Sequence, residues 1–262
     1  MAQISGIAGT KLVTFNTVPL PNRTTEFEPT YNVSRSSGFW NNSGFIGEDT
    51  IAIASNLSWR ITYGLSDKVE LGMNYQSDVA FGNFDFKAQI KDGDLFKLGM
   101  MAGLGVPLGN RTYAHSNPSI DDVSNFSVGL IASYDIDTIT SIDVNMQMTD
   151  YFRDAFETRI IPSPFPSMPD QIITTRQTGT TYNIAAEVGS YFLADGVQLV
   201  GGGGYYTTDI DGLWEAGLYG IGGIIFELYD RYVLNFGATY MVYGINQPRT
   251  LGLGFSFTTI WE

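Results

Sequence analysis

The chain has 262 residues, no cysteine, 14 Lys plus Arg against 27 Asp plus Glu, and a formal net charge of -13. The missing thiols exclude a disulfide framework, a thiolate metal site and a cysteine nucleophile, and the acidic balance excludes a basic nucleic-acid stripe. Hydrophobic residues make up 44% of the chain, yet no run of about 18 apolar residues exists, so there is no ordinary transmembrane helix.

Residues 1–23 hold one lysine, Lys11, and no clean apolar stretch of the signal-peptide kind. An export signal is therefore expected to have been removed ahead of this start. The segment is expected to be a periplasmic arm, a piece tucked into a lumen, or an extra strand through Val13, Phe15 and Val18.

From Glu26 onward the sequence alternates. Strand side chains point to opposite faces in turn, so a strip with every second residue apolar has one greasy and one polar side. The first strip, Glu26 to Ser36, sets Phe27, Tyr31 and Val33 against Glu26, Glu28 and Asn32, with a bend or bulge expected at Pro29. The second, Ile51 to Tyr63, sets Ile51, Ile53, Leu57, Trp59, Ile61 and Tyr63 against Ala, Asn, Ser, Arg60 and Thr. Lys68 to Gln76 and Asn83 to Ile90 follow, with Glu70, Asp85 and Lys87 on their polar sides.

Leu95 to Pro107 carries Lys97 opposite Phe96, Leu98 and Met100, and Phe126 to Tyr134 continues the series. Ser141 to Thr149 is near ideal: Ile142, Val144, Met146 and Met148 against Asp143, Asn145, Gln147 and Thr149. Thr181 to Phe192 places Glu187 on its polar side, and Val197 to Tyr206 is glycine-rich with no clear facing. Trp214 to Leu228, Tyr232 to Tyr243 and Thr250 to Trp261 complete twelve strips.

The connections choose the architecture. Tight turns follow the even strips, at 64–67, 91–94, 135–137, 193–196 and 229–231, while the odd strips are followed by mostly longer links at 37–48, 77–82, 108–125, 150–180, 207–213 and 244–249. Short turns on one side and longer loops on the other, with an even strand number, are the pattern of a bacterial outer-membrane barrel. Tyr63, Tyr134, Phe192, Tyr229, Tyr232 and Trp261 fall at the short-turn ends, as an interfacial aromatic belt requires. Unpaired backbone groups are too costly in hydrocarbon for an open edge, so the first strip must pair with the last. The expected fold is all-β: a transmembrane antiparallel barrel of 12 strands over residues 24–262, or 14 if residues 1–23 join.

Two stretches carry a resemblance. Tyr63-Gly64-Leu65-Ser66-Asp67-Lys68-Val69-Glu70-Leu71-Gly72 resembles the tight-turn signature of the outer-membrane "MetA-pathway of phenol degradation" family of transporters. Asp85 to Lys91, continuing through Gly103-Leu104-Gly105-Val106-Pro107-Leu108-Gly109, resembles that family's next hairpin and its Pro-x-Gly strand end. The likeness covers about a fifth of the chain. It implies passage of small, often aromatic or hydrophobic compounds across an outer membrane, and it brings no catalytic residues. The chain departs in its last residue, where Glu262 follows Trp261.

The residues expected to face a lumen are Glu26, Glu28, Arg60, Glu70, Asp85, Lys87, Lys97, Asp143, Glu187, Glu215 and Glu227. Charged rings set pore selectivity, so an acidic conduit follows; an ion-paired network filling a narrow barrel is the equal alternative. Link 150–180 holds Pro162, Pro164, Pro166 and Pro169 with Phe165 and Met168 among them. Prolines keep a segment out of a ladder, so Pro162, Phe165 and Met168 are lid candidates. The only histidine, His115, stands beside Ser116 and near Asp121 and Asp122, but no Gly-x-Ser-x-Gly elbow accompanies it and no enzyme is expected. No catalytic residue, metal site or cofactor is expected.

The expected role is passive passage of a small solute, with outer-membrane lipid and lipopolysaccharide around the wall. The alternative is a non-conducting barrel anchoring or scaffolding other envelope proteins.

Overall fold

The computed structural model describes residues 11–47, 51–76, 81–108, 124–161, 171–192, 196–210, 213–228 and 231–262. Every regular element among them is a strand: β1 (Thr25–Trp40), β2 (Ile46–Gly47), β3 (Ala52–Ser66), β4 (Val69–Gln76), β5 (Phe81–Lys91), β6 (Phe96–Pro107), β7 (Asn125–Asp135), β8 (Thr140–Ile161), β9 (Gln171–Tyr191), β10 (Val197–Ile210), β11 (Leu213–Leu228), β12 (Tyr232–Ile245) and β13 (Gln247–Trp261). Twelve of them form one antiparallel meander that closes through β13 and β1, with Thr25 opposite Trp261 and Tyr31 opposite Phe255. The thirteenth, β2, is a two-residue hairpin arm on the end of β1, pairing Trp40 with Ile46.

Ladder partners followed around the wall do not return to their starting height. From Thr25 the row passes through Tyr63, Leu71, Phe86, Ala102, Val128, Met148, Tyr182, Thr207 and Ala216 to Ile245. The climb from the short-turn end of β1 to the opposite end of β12 is the stagger that strand tilt imposes on a closed barrel.

The alternation read from the sequence selects the faces. On β4, Leu71 and Met73 are exposed while Glu70 and Asn74 are buried; on β8, Met146 and Met148 are exposed while Asp143, Asn145, Gln147 and Thr149 are buried. In a water-soluble fold this would be inside out. A wall whose apolar side chains face outward and whose polar ones face inward is a membrane barrel. Tyr63, Tyr134, Phe192, Tyr232 and Trp261 are all exposed near the short-turn rim, as the belt requires; Tyr229 lies outside the described residues.

Three expectations need correction. The link 150–180 is mostly strand: β8 continues to Ile161 and β9 begins at Gln171, with Ile161 opposite Gln171. The four prolines between 162 and 169 spoke for a loop, but the ladder stops at Ile161 and Gln171, short of them, after a register shift between Tyr151 and Ala155. Pro29 sits opposite Trp59 of β3 with no shift in register, although pairing to β13 lapses between Phe27 and Thr30; the register shift of β1 lies between Ser36 and Phe39. Residues 11–24 form no strand, so no further strand is added from the described part of the N-terminal segment. The amides of Val13 and Thr14 donate to the Glu187 carboxylate instead of to a ladder. The lid candidates Pro162, Phe165 and Met168, and His115 with Ser116, Asp121 and Asp122, lie outside the described residues.

Candidate functional site in the barrel lumen

Eight of the eleven sequence-predicted lumen residues are buried: Glu26, Glu28, Arg60, Glu70, Asp85, Lys87, Asp143 and Glu187. Strand register sets their neighbours. Glu28 lies opposite Arg60 across β1 and β3, Glu70 opposite Lys87 across β4 and β5, and Asp143 opposite Glu187 across β8 and β9. Arg60 reaches diagonally over Gly72 to Asp85, its Nη2 donating to Oδ1 at 2.6 Å. A Cβ at Gly72 would collide with both the Arg60 guanidinium and the Asp85 carboxylate, so the missing side chain makes room for this ion pair. Lys87 Nζ stands 3.1 Å from Glu70 Oε1.

The remaining three predicted residues sit near the rims. Lys97 pairs with Asp135 at 2.8 Å by the short turns, both partly exposed. Glu227 is exposed near the same end and accepts a 2.7 Å bond from the Tyr191 hydroxyl. Glu215 is half-buried toward the other end, where Gln247 donates to it while accepting from the Tyr206 hydroxyl.

Sequence reasoning missed what the buried charges hold. Residues 11–24 run along the inner wall, bonded in turn to successive strands. Lys11 Nζ donates to Asp143, forming a buried ion pair. Glu187 Oε2 accepts from Val13 N at 2.9 Å, Thr14 N at 2.6 Å and Thr14 Oγ1 at 2.8 Å. Thr17 N donates to Ser133 Oγ, Lys87 Nζ donates to the Val18 carbonyl, and Leu20 N donates to Glu70 Oε2 at 2.7 Å. Arg23 N and the Thr24 carbonyl then exchange bonds with Gly64 before β1 begins.

Phe15 packs with Met101 and Ile131 in a small buried cluster. The Asn145 side-chain amide, with its oxygen and nitrogen assigned by hydrogen bonding, brackets the Phe15 backbone on both sides. A larger cluster of Trp40, Tyr206, Tyr219, Ile221 and Met241 fills the opposite side of the interior, with Leu12 and Val13 against it. Lys11, the only lysine among residues 1–23, carries no local signal in the sequence for its pairing with Asp143.

The described buried charges are therefore six carboxylates and three cations. Three carboxylates are paired with Lys11, Arg60 and Lys87, and Glu187 is saturated at one oxygen by the N-terminal segment. Glu26 Oε1 has no hydrogen-bond partner among the described residues. Past this charged zone, inward-side residues of β1, β3, β12 and β13 are small and neutral: Asn32, Ser34, Asn56, Thr239 and Thr250 are all partly or more exposed. The described interior thus carries hydrogen-bonding groups and more carboxylates than cations.

No protein-family model and no curated protein matches the chain. Among solved structures it is similar to an outer-membrane channel from Pseudomonas putida F1, at 15% identity and a TM-score of 0.69, covering 94% of this chain and 98% of that one. It is also similar to the NanC porin, at 8% identity and a TM-score of 0.50 over 89% of this chain and 98% of that one. The β domain of the Bordetella autotransporter BrkA matches at 12% identity and a TM-score of 0.50 over 90% of this chain and 99% of that one. These likenesses show the fold: the chain is an antiparallel β-barrel of the outer-membrane type, with twelve wall strands and one short extra strand.

Proposed function

We propose that the protein is an outer-membrane channel for passive passage of small solutes, with a polar, acidic lumen whose width is set by its N-terminal segment. The observation that carries this reading is the excess of buried carboxylates, six against three cations, inside a wall whose exposed apolar rows face outward. Fixed charge at a constriction favours ions and solutes of opposite sign. The likeness to an outer-membrane channel of known structure supports passage as the role. The turn motif around Gly64 and Asp67 supports kinship with the phenol-degradation family, and with it small aromatic or hydrophobic solutes. Transport of this kind needs no catalytic residue or cofactor.

Reconstitution into planar bilayers tests the proposal. A small conductance with a cation-selective reversal potential under a KCl gradient is expected; a folded barrel that neither conducts nor admits solute in liposome swelling would refute it.

One observation favours a second reading, a closed barrel serving as an anchor for other envelope proteins. The segment 11–24 is hydrogen-bonded to walls from β9 round to β3, as a fixed filling would be. Removing residues 2–20 separates the two. The channel reading expects a larger conductance from an already conducting protein, and the anchor reading expects conductance only after removal.

A further inference from the structure

The geometry points to a binding site for the phosphate of an outer-leaflet glycolipid on the outside wall, formed by Arg35, Arg249 and Tyr240. The inference rests on the reading above that the barrel stands in an outer membrane with its longer connections outward. It concerns the lipid face, which passage through the lumen does not use.

Arg35 belongs to the outward side of β1, in alternation with exposed Tyr31 and Phe39. It lies opposite Leu251 of β13, and Leu251 lies opposite Tyr240 of β12, so Arg35, Leu251 and Tyr240 form one row across three strands. Arg249 is two residues beyond Leu251 on the same face of β13. Its Nε donates to the Tyr240 hydroxyl at 2.8 Å, its Nη2 donates to the same oxygen, and its guanidinium carbon stands 5.5 Å from the Tyr240 ring centroid. The Arg35 side chain has no ion-pair or hydrogen-bond partner among the described residues.

Height places this group at a lipid headgroup. Arg35 is ten residues along β1 from Thr25, whose ladder partner Trp261 marks the inner aromatic belt (35 − 25 = 10). At roughly 3.3 Å per residue and a tilt of about 40°, ten residues climb ~25 Å, the height of the apolar band of an outer-membrane barrel. Arg249 stands one further pleat up. Both cations therefore emerge where acyl chains end and phosphates begin. Below them, Val33, Leu253 and Phe255 present an apolar floor for those chains.

The chemistry is specific. A guanidinium has five N–H donors, and the Tyr240 contact uses Arg249 Nε and one of Nη2, which leaves three donors that this contact does not use. The Tyr240 oxygen accepts from Arg249, so its own proton is available to a phosphate oxygen. Paired arginines with planar donor forks match phosphate better than point charges do. Elsewhere at this level, the described outward charges are Asp150 on β8 and Asp209 on β10, which would repel such a group. Lys68, Lys91 and Arg231 lie at the opposite rim.

The test uses the full-length barrel in detergent micelles, titrated with diphosphoryl lipid A, its dephosphorylated form, or phosphatidylglycerol, with bound copies read by native mass spectrometry. Wild type is expected to bind diphosphoryl lipid A at least about tenfold more tightly than either comparison lipid, and R35Q/R249Q to lose about tenfold or more of that affinity. R249Q and Y240F alone are expected to show about threefold losses, which keeps the test available should the double variant fail to fold. Equal binding of the three lipids, or unchanged affinity in the variants, would overturn the site. Bilayer conductance of the same variants is expected to match wild type, so failure of the channel reading is scored separately.

Discussion

Replacing Glu187 by alanine should release the N-terminal segment from the wall while leaving the barrel intact. One oxygen of Glu187 accepts three hydrogen bonds, from Val13 N, Thr14 N and Thr14 Oγ1, and the residue is fully buried. Hydrogen bonds to a charged group contribute about 1.5–3 kcal/mol each. Sharing a single oxygen makes them less than additive, so a loss of about 3–5 kcal/mol in docking free energy is the working figure. At 1.4 kcal/mol per decade, 3 kcal/mol is about a hundredfold rise in the open population.

Native-state amide exchange on the barrel in nanodiscs reads this directly. Val13 and Thr14 amides should lose at least about a hundredfold in protection, while the β8 and β9 ladder amides between Asp143 and Thr149 keep theirs. The reasoning fails if Val13 and Thr14 stay protected, because the bonds would then not be what holds the segment. It also fails if the neighbouring ladder loses protection together with them, because the segment would then be part of the wall's own cooperative unit.

Further outcomes follow from other contacts. Lys87→Met leaves Glu70 buried without its cation and removes the bond to the Val18 carbonyl, so urea unfolding should show a loss of about 3–5 kcal/mol, partly restored by adding Glu70→Gln. Arg60→Gln removes a lumen cation beside Asp85 and Glu28, and the zero-current potential under a salt gradient should move further toward cation selectivity; movement toward anions would contradict the acidic-lumen reading. Met146→Arg puts a charge on the lipid face of β8 and should lower stability by about 2–4 kcal/mol if it lies at the midplane, whereas a soluble fold would tolerate it as a surface change. In the turn between β7 and β8, Asp137 accepts from the amides of Ile139 and Thr140, which holds its carboxyl below the ordinary 3.8. A depressed folded value means that the turn's support is present above the unfolded value and is lost as pH falls through the folded one. An NMR titration midpoint for Asp137 at or above 3.8 would contradict the contact.

The wall was legible because strand periodicity is a local signal and lipid enforces it on every strand. Ile142, Val144, Met146 and Met148 announce an outward row without reference to any partner. The lumen was legible only as a set of facing charges. Which carboxylate meets Lys11, and which holds Thr14, depends on residues 132 and 173 positions away, beyond any local pattern. The inward aromatic cluster was hidden for a related reason. Trp40, Tyr206 and Tyr219 are apolar or amphipathic side chains on the face that alternation assigns to polar groups, and only the curvature of the wall brings them together. Tyr206 fits because Gly217 lacks a Cβ, which would lie 2.5 Å from the ring. Beyond Thr149, the prolines between 162 and 169 spoke for a loop, and neither the pairing that flanks them nor the register shift near Tyr151 has a local signal.

That shift divides β8 and β9 into two physical regimes. Up to Tyr151 and Gly179 each strand has a neighbour on both sides, since β7 reaches Tyr151 and β10 reaches Gly179. Among the described residues, the stretches from Ala155 to Ile161 and from Gln171 to Gln177 pair only with each other. A strand of 22 residues extends ~70 Å at about 3.3 Å per residue, far more than a tilted crossing of the bilayer consumes. The surplus is a two-stranded ribbon beyond the described ladders of β7 and β10, and a two-stranded ribbon by itself is marginally stable in water. Its ladder bonds are internal to it, so shortening the ribbon would leave the described ladder bonds of the closed wall in place.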